Sequence, residues 1–191
     1  TDSLTWKKLA LKLEKPAAPE GVFVKIRTDH PKQPAITIED PLCPSCKAFH
    51  ERMVAEGTYE NLDVSLVVFP LDDACNWNLR APTHPGACVV AKAILCADKT
   101  GGSAREVLEW SYKNQEDLAA AGKAGAPTLR AKVKARFPSV DACIDTPEVD
   151  KRIEEILRWA QSNKLRLSTP QMFLGDTRVC PEDTDIGLAY A

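Results

Sequence analysis

The spacing of apolar positions predicts three strands in the first part of the chain. Val22, Val24 and Ile26 lie at alternate positions, which is the periodicity of a strand. A second strand is predicted over residues 35–39 and a third over residues 64–69. The third is apolar at both odd and even positions, which is typical of a central strand with both faces covered.

Helical periodicity predicts one helix between these strands and four more after them. The first follows Cys43 and ends at Gly57. The other four are marked by apolar positions over 87–95, by a Ser103–Glu106 capping box, by Asn114 as a cap before Gly122, and by a basic amphipathic stretch over 127–136.

The last part of the chain predicts a long helix and a β-hairpin. The strongest helical pattern starts at Thr146 and has apolar positions between residues 149 and 160. The hairpin comprises a strand over 170–174, a tight turn at Gly175-Asp176 and a returning strand over 177–179.

These elements predict an α/β fold in which a helical block is inserted into one domain. The order is β-β-α-β, the helical block, then α-β-β-α, with a final helix from Asp183 to Tyr190. A helix between two strands favours a parallel pair, and the hairpin is antiparallel, so the sheet is expected to be mixed. The domain is predicted over 21–191 with its helical insertion at about 80–145, after an N-terminal extension over 1–20.

Neither the charge nor the hydropathy of the chain points to nucleic acid or to a membrane span. The formal net charge of the 191 residues is −2, which gives no reason to expect nucleic acid. No apolar run approaches the roughly 20 residues of a membrane span. The chain starts at Thr1 without a signal peptide, so we expect a processing boundary there and an upstream segment that would carry any membrane tether.

Seven cysteines indicate an oxidising, exported location such as the periplasm. Cys75 and Cys88 flank a short loop, and a disulfide between them is a candidate structural bridge. The odd count leaves one thiol over. For the remaining three the sequence leaves two pairings open, Cys143–Cys180 and Cys96–Cys143.

The segment Cys43-Pro44-Ser45-Cys46 is the strongest candidate for chemistry. It lies between a predicted strand and a predicted helix, where unpaired N–H groups and the helix dipole stabilise a thiolate. We predict Cys43 as the exposed, attacking sulfur and Cys46 as the resolving one. The alternatives are a metal site, for which no second close cysteine pair exists, and a structural bridge. No metal or cofactor is predicted.

Four features of the chain resemble the thioredoxin superfamily, and most closely its DsbA-like branch. They are Asp40-Pro41-Leu42-Cys43-Pro44-Ser45-Cys46, the inserted helical block, Ser168-Thr169-Pro170 before a strand, and the closing hairpin. The resemblance implies a thiol–disulfide oxidoreductase that acts on cysteine-containing proteins. It also implies that Pro170 is cis and faces Cys43, and that the backbone of Thr169 receives the substrate. Without the resemblance, a trans proline at the start of an edge strand would be the simpler interpretation.

A finer resemblance concerns residues 69–76 and 84–88, which are similar to DsbA-like domains associated with bacterial vitamin K epoxide reductase homologues. It implies a membrane quinone-linked partner that reoxidises the protein. The dipeptide between the cysteines is Pro-Ser, whereas the strongest oxidants of this branch carry Pro-His. The resemblance therefore implies the same chemistry for this chain, but not the same redox potential.

Several other polar residues are weaker candidates. His50 and Asp40 are candidates for tuning the thiolate, and either Asp40 or Glu39 would shuttle protons if buried. A surface position is the simpler interpretation for His50, and a loop position for His84. Packing roles are expected for Trp77, Trp110 and Trp159.

The sequence therefore predicts an exported thiol–disulfide oxidoreductase, acting as an oxidase through Cys43 and Cys46. Two alternatives remain open: a reductase or isomerase of the same fold, and a disulfide-stapled binding module without redox activity.

Overall fold

One five-stranded sheet forms the centre of the molecule. The computed structural model describes Leu13 and residues 17–179. The strands are β1 (Val24–Ile26), β2 (Gln33–Glu39), β3 (Leu62–Val68), β4 (Gln171–Leu174) and β5 (Thr177–Val179). Their order in the sheet is β1-β3-β2-β4-β5.

The two central strands are parallel and the outer strands antiparallel. Along β2 and β3 the register runs from Gln33 opposite Leu62 to Glu39 opposite Val68. β1 is antiparallel to β3, β4 to β2, and β5 to β4. The predicted mixed sheet and its closing hairpin are confirmed. β3, predicted as central from its apolar residues at both parities, is buried at six of its seven positions.

Six helices are described, in the places where the sequence predicted them. They are α1 (Pro44–Ala55), α2 (Ala87–Lys99), α3 (Ala104–Lys113), α4 (Gln115–Ala124), α5 (Ala126–Arg136) and α6 (Pro147–Ser162). Two short 3₁₀ turns lie at Tyr59–Asn61 and Pro138–Val140. Helices α2 to α5 separate β3 from α6, as expected for an insertion. The exact domain boundaries remain predictions.

The start of α3 has the predicted side-chain cap, and the start of α4 has the predicted N-cap residue without a side-chain capping bond. The Ser103 hydroxyl accepts a hydrogen bond from the Glu106 N–H at 3.0 Å. The Asn114 side chain instead donates to the Trp110 carbonyl at 2.9 Å, and so it closes α3. Asn114 therefore occupies the N-cap position of α4, as predicted, but its side chain makes no capping hydrogen bond there, because its amide bonds to the preceding helix.

The helical block packs on the sheet through α2. This helix contacts α3, α5, α6 and β3. Its apolar face is fully buried at Val90, Ala91 and Ile94. A disulfide between Cys96 and Cys143 ties the end of α2 to the segment before α6, which selects one of the two pairings left open by the sequence.

The packing expected of the tryptophans is confirmed at two of three positions. Trp159 is buried and packs edge-on against Phe23, and half-buried Trp110 packs in the same way against Phe137. Trp77 is 50% exposed, so the prediction of a packing role for it is wrong. It lies in a surface loop where an aromatic side chain is not enclosed.

Some predictions concern parts of the chain that the structure does not describe. The final helix from Asp183 to Tyr190, the pairing of Cys180 and most of the N-terminal extension belong to this group. Within Leu13 and residues 17–179, no helix is both long and apolar enough to cross a membrane.

Candidate active site

Cys43 and Cys46 lie at the junction between β2 and α1. Cys43 immediately precedes Pro44, the first residue of α1, and its N–H donates to the Asp40 carbonyl at 3.1 Å. Proline suits this position because its missing N–H would have no helical partner there. Both thiols are free, so the structure represents the dithiol form. Cys43 thus faces the unpaired N–H groups at the start of a helix of 12 residues.

Cys43 is more enclosed than the sequence predicted. The residue is 5% exposed and Cys46 is 0% exposed. The prediction of an openly exposed sulfur at Cys43 is wrong because the loop before β4 covers it: the Cys43 thiol lies 3.5 Å from the Thr169 carbonyl oxygen. The predicted difference between an outer and an inner cysteine holds.

The two thiols differ strongly in acidity. The pKa of Cys43 is lowered to about 6, first by a hydrogen bond from the Cys46 thiol and further by Thr169 and by the charge of His84, against the effect of burial. The pKa of Cys46 is raised, chiefly by burial, and further by its bond to Cys43 and by the negative charge of Glu39. Near neutral pH the pair therefore consists of one thiolate and one thiol.

The loop that faces Cys43 is held in a fixed shape. The Thr169–Pro170 peptide bond is cis. Behind it, the Gln171 side chain donates to the carbonyls of Arg166 and Ser168 at 2.9 and 2.8 Å. The Thr169 carbonyl oxygen thus lies in a braced loop, 3.5 Å from the Cys43 sulfur.

Asp40 is fully buried and lies beside His84, which the sequence did not place at the site. One Asp40 carboxylate oxygen accepts the Leu42 N–H at 2.7 Å. The other accepts the Leu71 N–H at 2.6 Å and lies 2.9 Å from Nδ1 of His84. Burial disfavours the charged imidazole, but the hydrogen bond and charge of Asp40 outweigh it, so the pKa of His84 is raised above its usual range.

The segment that carries His84 is anchored on both sides. The N–H groups of Thr83 and His84 both donate to the Leu71 carbonyl at 2.9 Å. The Asp72 carboxylate accepts the N–H groups of Gly86 and Cys88 at 2.9 and 3.2 Å. A Cys75–Cys88 disulfide closes the loop. The bridge thus fixes the segment that brings the imidazole to Asp40.

A second buried carboxylate, Glu39, lies at the end of β2. The Tyr112 hydroxyl donates to one of its oxygens at 2.6 Å. The other oxygen is buried without a hydrogen-bond partner among the described residues. Glu39 is therefore a buried carboxylate, and its negative charge is one of the causes that raise the pKa of Cys46.

His50 is buried rather than on the surface, and it packs against two tyrosines and a glutamate. Its ring packs 4.6 Å from that of Tyr59 and 5.4 Å from that of Tyr112, measured between centroids. Its Nε2 lies 3.7 Å from a carboxylate oxygen of Glu109. The surface interpretation is wrong because α3 covers this face of α1. In the described part of the chain these contacts are made with two tyrosines and a glutamate, and a role of His50 in tuning the thiolate remains a prediction.

A cavity of about 490 Å³ adjoins the dithiol between α1 and the cis-proline loop. Its lining includes Ser45 and Phe49 from α1, the 168–172 segment, and Val179 from β5. No group of three or more His, Cys, Asp or Glu side chains suited to a metal ion occurs in the described part of the chain.

Sequence reasoning missed two residues of the site, His84 and Gln115. The Gln115 side chain donates to the carbonyls of Cys43 and Pro41 at 3.1 and 3.4 Å, which fixes the turn before α1. Both residues lie far from Cys43 along the chain, so no local sequence pattern predicts that they contact it. The only available signal was that His84-Pro85-Gly86 belongs to the segment of finer resemblance.

No protein-family model and no curated protein sequence matches the chain. Solved structures do match. DsbA from Xylella fastidiosa is 20% identical over 82% of this chain and 83% of its own, with a TM-score of 0.53. Wolbachia pipientis alpha-DsbA1 is 15% identical over 83% and 78%, with a TM-score of 0.61. A protein-disulfide isomerase from Novosphingobium aromaticivorans is 13% identical over 84% and 90%, also at 0.61.

The TM-scores and the share of each chain that is superposed show a common fold, and they confirm the predicted resemblance at that level. The association with vitamin K epoxide reductase homologues remains a prediction. The chain has the thioredoxin fold with an inserted helical block that is found in DsbA-like proteins.

Proposed function

We propose that this chain is an exported thiol–disulfide oxidoreductase that oxidises cysteine-containing proteins through Cys43 and Cys46. The observation that carries the proposal is the acidity of Cys43, whose pKa is lowered to about 6 at the start of α1. A thiol of this kind is both a good leaving group and a stabiliser of the reduced form. The disulfide form would therefore pass its bond readily to a substrate.

The exchange proceeds in two displacements. A substrate thiolate attacks the Cys43 sulfur of the Cys43–Cys46 disulfide; the bond between the two cysteines breaks, and Cys46 takes up a proton. A second substrate thiolate then attacks the substrate sulfur of the mixed disulfide, and Cys43 leaves as a thiolate. The substrate loses two electrons and two protons; the enzyme takes both electrons and one proton, at Cys46, and the second proton goes to solvent while Cys43 remains a thiolate.

Each neighbouring group has a defined part in this scheme. The Thr169 backbone, beside cis Pro170, binds the substrate segment next to Cys43. Asp40 holds His84 with its positive charge near the Cys43 thiolate. Glu39 is the buried base that exchanges a proton with Cys46 when the disulfide opens and closes.

Location and partners follow from the same chemistry. The disulfides Cys75–Cys88 and Cys96–Cys143 favour an oxidising compartment such as the periplasm. Each turnover leaves a dithiol, so the protein needs an oxidant. The resemblance of residues 69–76 and 84–88 favours a membrane quinone-linked partner for that step.

The direct test is oxidation of a reduced dithiol peptide by the purified disulfide form. Cys43→Ser is expected to abolish the reaction, and Cys180→Ser, which removes the seventh cysteine, to retain it. Peptide oxidation by the Cys43→Ser protein would overturn the assignment.

The direction of the reaction needs a second measurement. The protein is equilibrated with mixtures of reduced and oxidised glutathione. An oxidase should be mostly in its dithiol form at ratios of the two that leave a reductase in its disulfide form. If the protein stays in its disulfide form at those ratios, the reductase or isomerase alternative is favoured. If neither cysteine exchanged with glutathione, a structural binding module would be the better description.

A further inference from the structure

Four buried polar atoms of β2, α1 and the 3₁₀ turn after α1 have no hydrogen-bond partner among the described residues. They are Oγ1 of Thr37, Oε1 of Glu39, Nδ1 of His50 and the hydroxyl oxygen of Tyr59. Buried polar atoms are ordinarily satisfied by protein or by internal water, so a group of them indicates a hydrated position in the interior. We refer to these four side chains, together with Tyr112, as the buried polar cluster.

The side chains of the buried polar cluster lie against one another. Thr37 and Glu39 alternate along β2, so they face the same side of the sheet. The Tyr112 hydroxyl donates to Glu39 at 2.6 Å. The centroid of the His50 ring lies 5.4 Å from that of Tyr112 and 4.6 Å from that of Tyr59. The cluster therefore connects Glu39 to His50 through Tyr112.

A further contact of His50 leads to the surface. Its Nε2 lies 3.7 Å from a carboxylate oxygen of Glu109, whose side chain is 41% exposed. Nε of Arg105 donates to the same carboxylate at 2.7 Å and holds it in place on α3. With its proton on Nε2, facing Glu109, the imidazole presents a buried lone pair at Nδ1 and can accept a proton there.

The imidazole is the group of the cluster that is suited to pass a proton on. The pKa of Tyr59 and that of Tyr112 are both raised, chiefly by burial and further by the negative charge of Glu39. Both phenols therefore stay protonated near neutral pH. An imidazole, by contrast, can accept a proton at one ring nitrogen and release another from the second.

We infer that His50 conducts the proton of Cys46 from Glu39 to solvent when the dithiol is reoxidised, with internal water at its Nδ1 and Glu109 at its Nε2. The route rests on the proposed exchange of a proton between Cys46 and Glu39, and it gives that proton a way out of the interior.

The electrons and protons of this reoxidation balance. The Cys43 thiolate attacks a disulfide oxidant, and one half of the oxidant leaves as a thiolate. Cys46 gives its proton to Glu39 and attacks the Cys43 sulfur, and the second half leaves as a thiolate. The dithiol has then lost two electrons to the oxidant. The proton moves from Glu39 to Nδ1 of His50, and Nε2 releases one beside Glu109.

Reaction of the reduced protein with saturating oxidised glutathione isolates the step in which Cys46 loses its proton. The mixed disulfide then forms quickly, and release of the second glutathione reports the attack by Cys46. His50→Phe keeps a ring against the two tyrosines and removes both nitrogens. It is expected to slow this release about tenfold and to increase its solvent deuterium isotope effect, because proton transfer becomes the slow step.

Glu109→Gln removes the carboxylate that faces Nε2 and should slow the release in the same direction by a smaller factor. Its position is half-buried, so it decides the matter if His50→Phe does not fold. The matched control is Glu154→Gln on α6. It also breaks an ion pair with an arginine four residues away on a helix, but outside the cluster, and it should leave the rate and the isotope effect unchanged.

Titration of the Cys43 thiolate separates this route from an effect on the first sulfur. Its midpoint is expected to be the same in His50→Phe, Glu109→Gln and the unmodified protein. Release rates unchanged in both variants would overturn the inference, and so would a slowing that comes with a shifted midpoint. If the unmodified protein forms no mixed disulfide with glutathione, it is the proposed function that fails.

Discussion

At the scale of single residues, the acidity of Cys43 depends first on Cys46, inside the Cys-Pro-Ser-Cys motif, and to a smaller extent on Thr169 and His84, outside it. The motif provides the start of a helix and the hydrogen bond from Cys46. The nearby positive charge comes from His84, held by Asp40 at 2.9 Å. This histidine provides a cationic charge that the dipeptide Pro44-Ser45 does not.

Replacing His84 should therefore weaken the thiolate without removing the motif. In His84→Gln the pKa of Cys43 is expected to rise above its value of about 6, because the positive charge of His84 is one of the causes that lower it. The sign follows directly: a higher pKa means less thiolate at neutral pH and a less stable reduced form. The measurement is the pH titration of thiolate ultraviolet absorbance.

The matched control is His30→Gln, which changes an exposed histidine in the turn before β2. It should leave the titration of Cys43 unchanged. A titration of His84→Gln that coincides with that of the unmodified protein would remove His84 from the account.

At the scale of elements, α4 and α5 hold the turn that carries His84. Gly86 has φ of +88°, a conformation that favours glycine, and a side chain there would lie 2.5 Å from Leu129 of α5. A β-carbon added at Gly122 of α4 would lie 2.0 Å from the Pro85 carbonyl oxygen. The helical block therefore reaches the active site through close backbone packing on the 84–86 turn.

Gly122→Ala tests this contact. Alanine normally favours a helix over glycine, yet here the free energy of unfolding is expected to fall by about 1–3 kcal/mol because the β-carbon overpacks against backbone. The same displacement should move His84 and raise the pKa of Cys43. Denaturant unfolding and the thiolate titration measure the two effects.

The control is Ala120→Ser on the exposed face of the same helix. It adds one atom where nothing is enclosed, and both measurements should stay close to those of the unmodified protein. A Gly122→Ala protein that is more stable and titrates normally would show that α4 does not hold the turn.

At the scale of the whole molecule, two disulfides stabilise different parts of the fold. Cys96–Cys143 spans 47 positions of sequence and joins the end of α2 to the segment before α6. Cys75–Cys88 spans 13 and closes the loop that carries His84. Both restrict the unfolded chain, but only the shorter one lies next to the active site.

Removing each bridge by paired Cys→Ala substitution should separate stability from reactivity. From the entropy of loop closure, loss of Cys96–Cys143 is expected to lower the free energy of unfolding by about 4 kcal/mol, and loss of Cys75–Cys88 by about 3 kcal/mol. Only the second pair should also raise the pKa of Cys43. Equal effects of the two pairs on that pKa would contradict the role given to the shorter loop.

The sequence predicted the strands, helices and motif because these depend on local patterns. Alternation at residues 22–26, apolar residues over 64–69 and the Cys43–Cys46 spacing can all be seen within a few positions. The partner of Asp40 lies 44 positions away, and Gln115 lies 72 positions from Cys43. Such contacts arise only when the helical block folds back on the sheet, so the periodicity of apolar residues does not predict them.

The same distinction explains the errors. An open sulfur at Cys43 and a surface position for His50 were inferred from their places on one helix. The structure covers the first with the loop at Thr169 and the second with α3. Exposure is a property of the assembled molecule, and one helix alone does not determine it.

The most direct test of the account is the titration of thiolate absorbance in the reduced protein, with Cys43→Ser subtracted as reference. The account predicts one transition with a midpoint near pH 6, assigned to Cys43, and a second thiol that stays protonated well above it. A single transition near the ordinary cysteine pKa of about 8.5 would contradict the central claim.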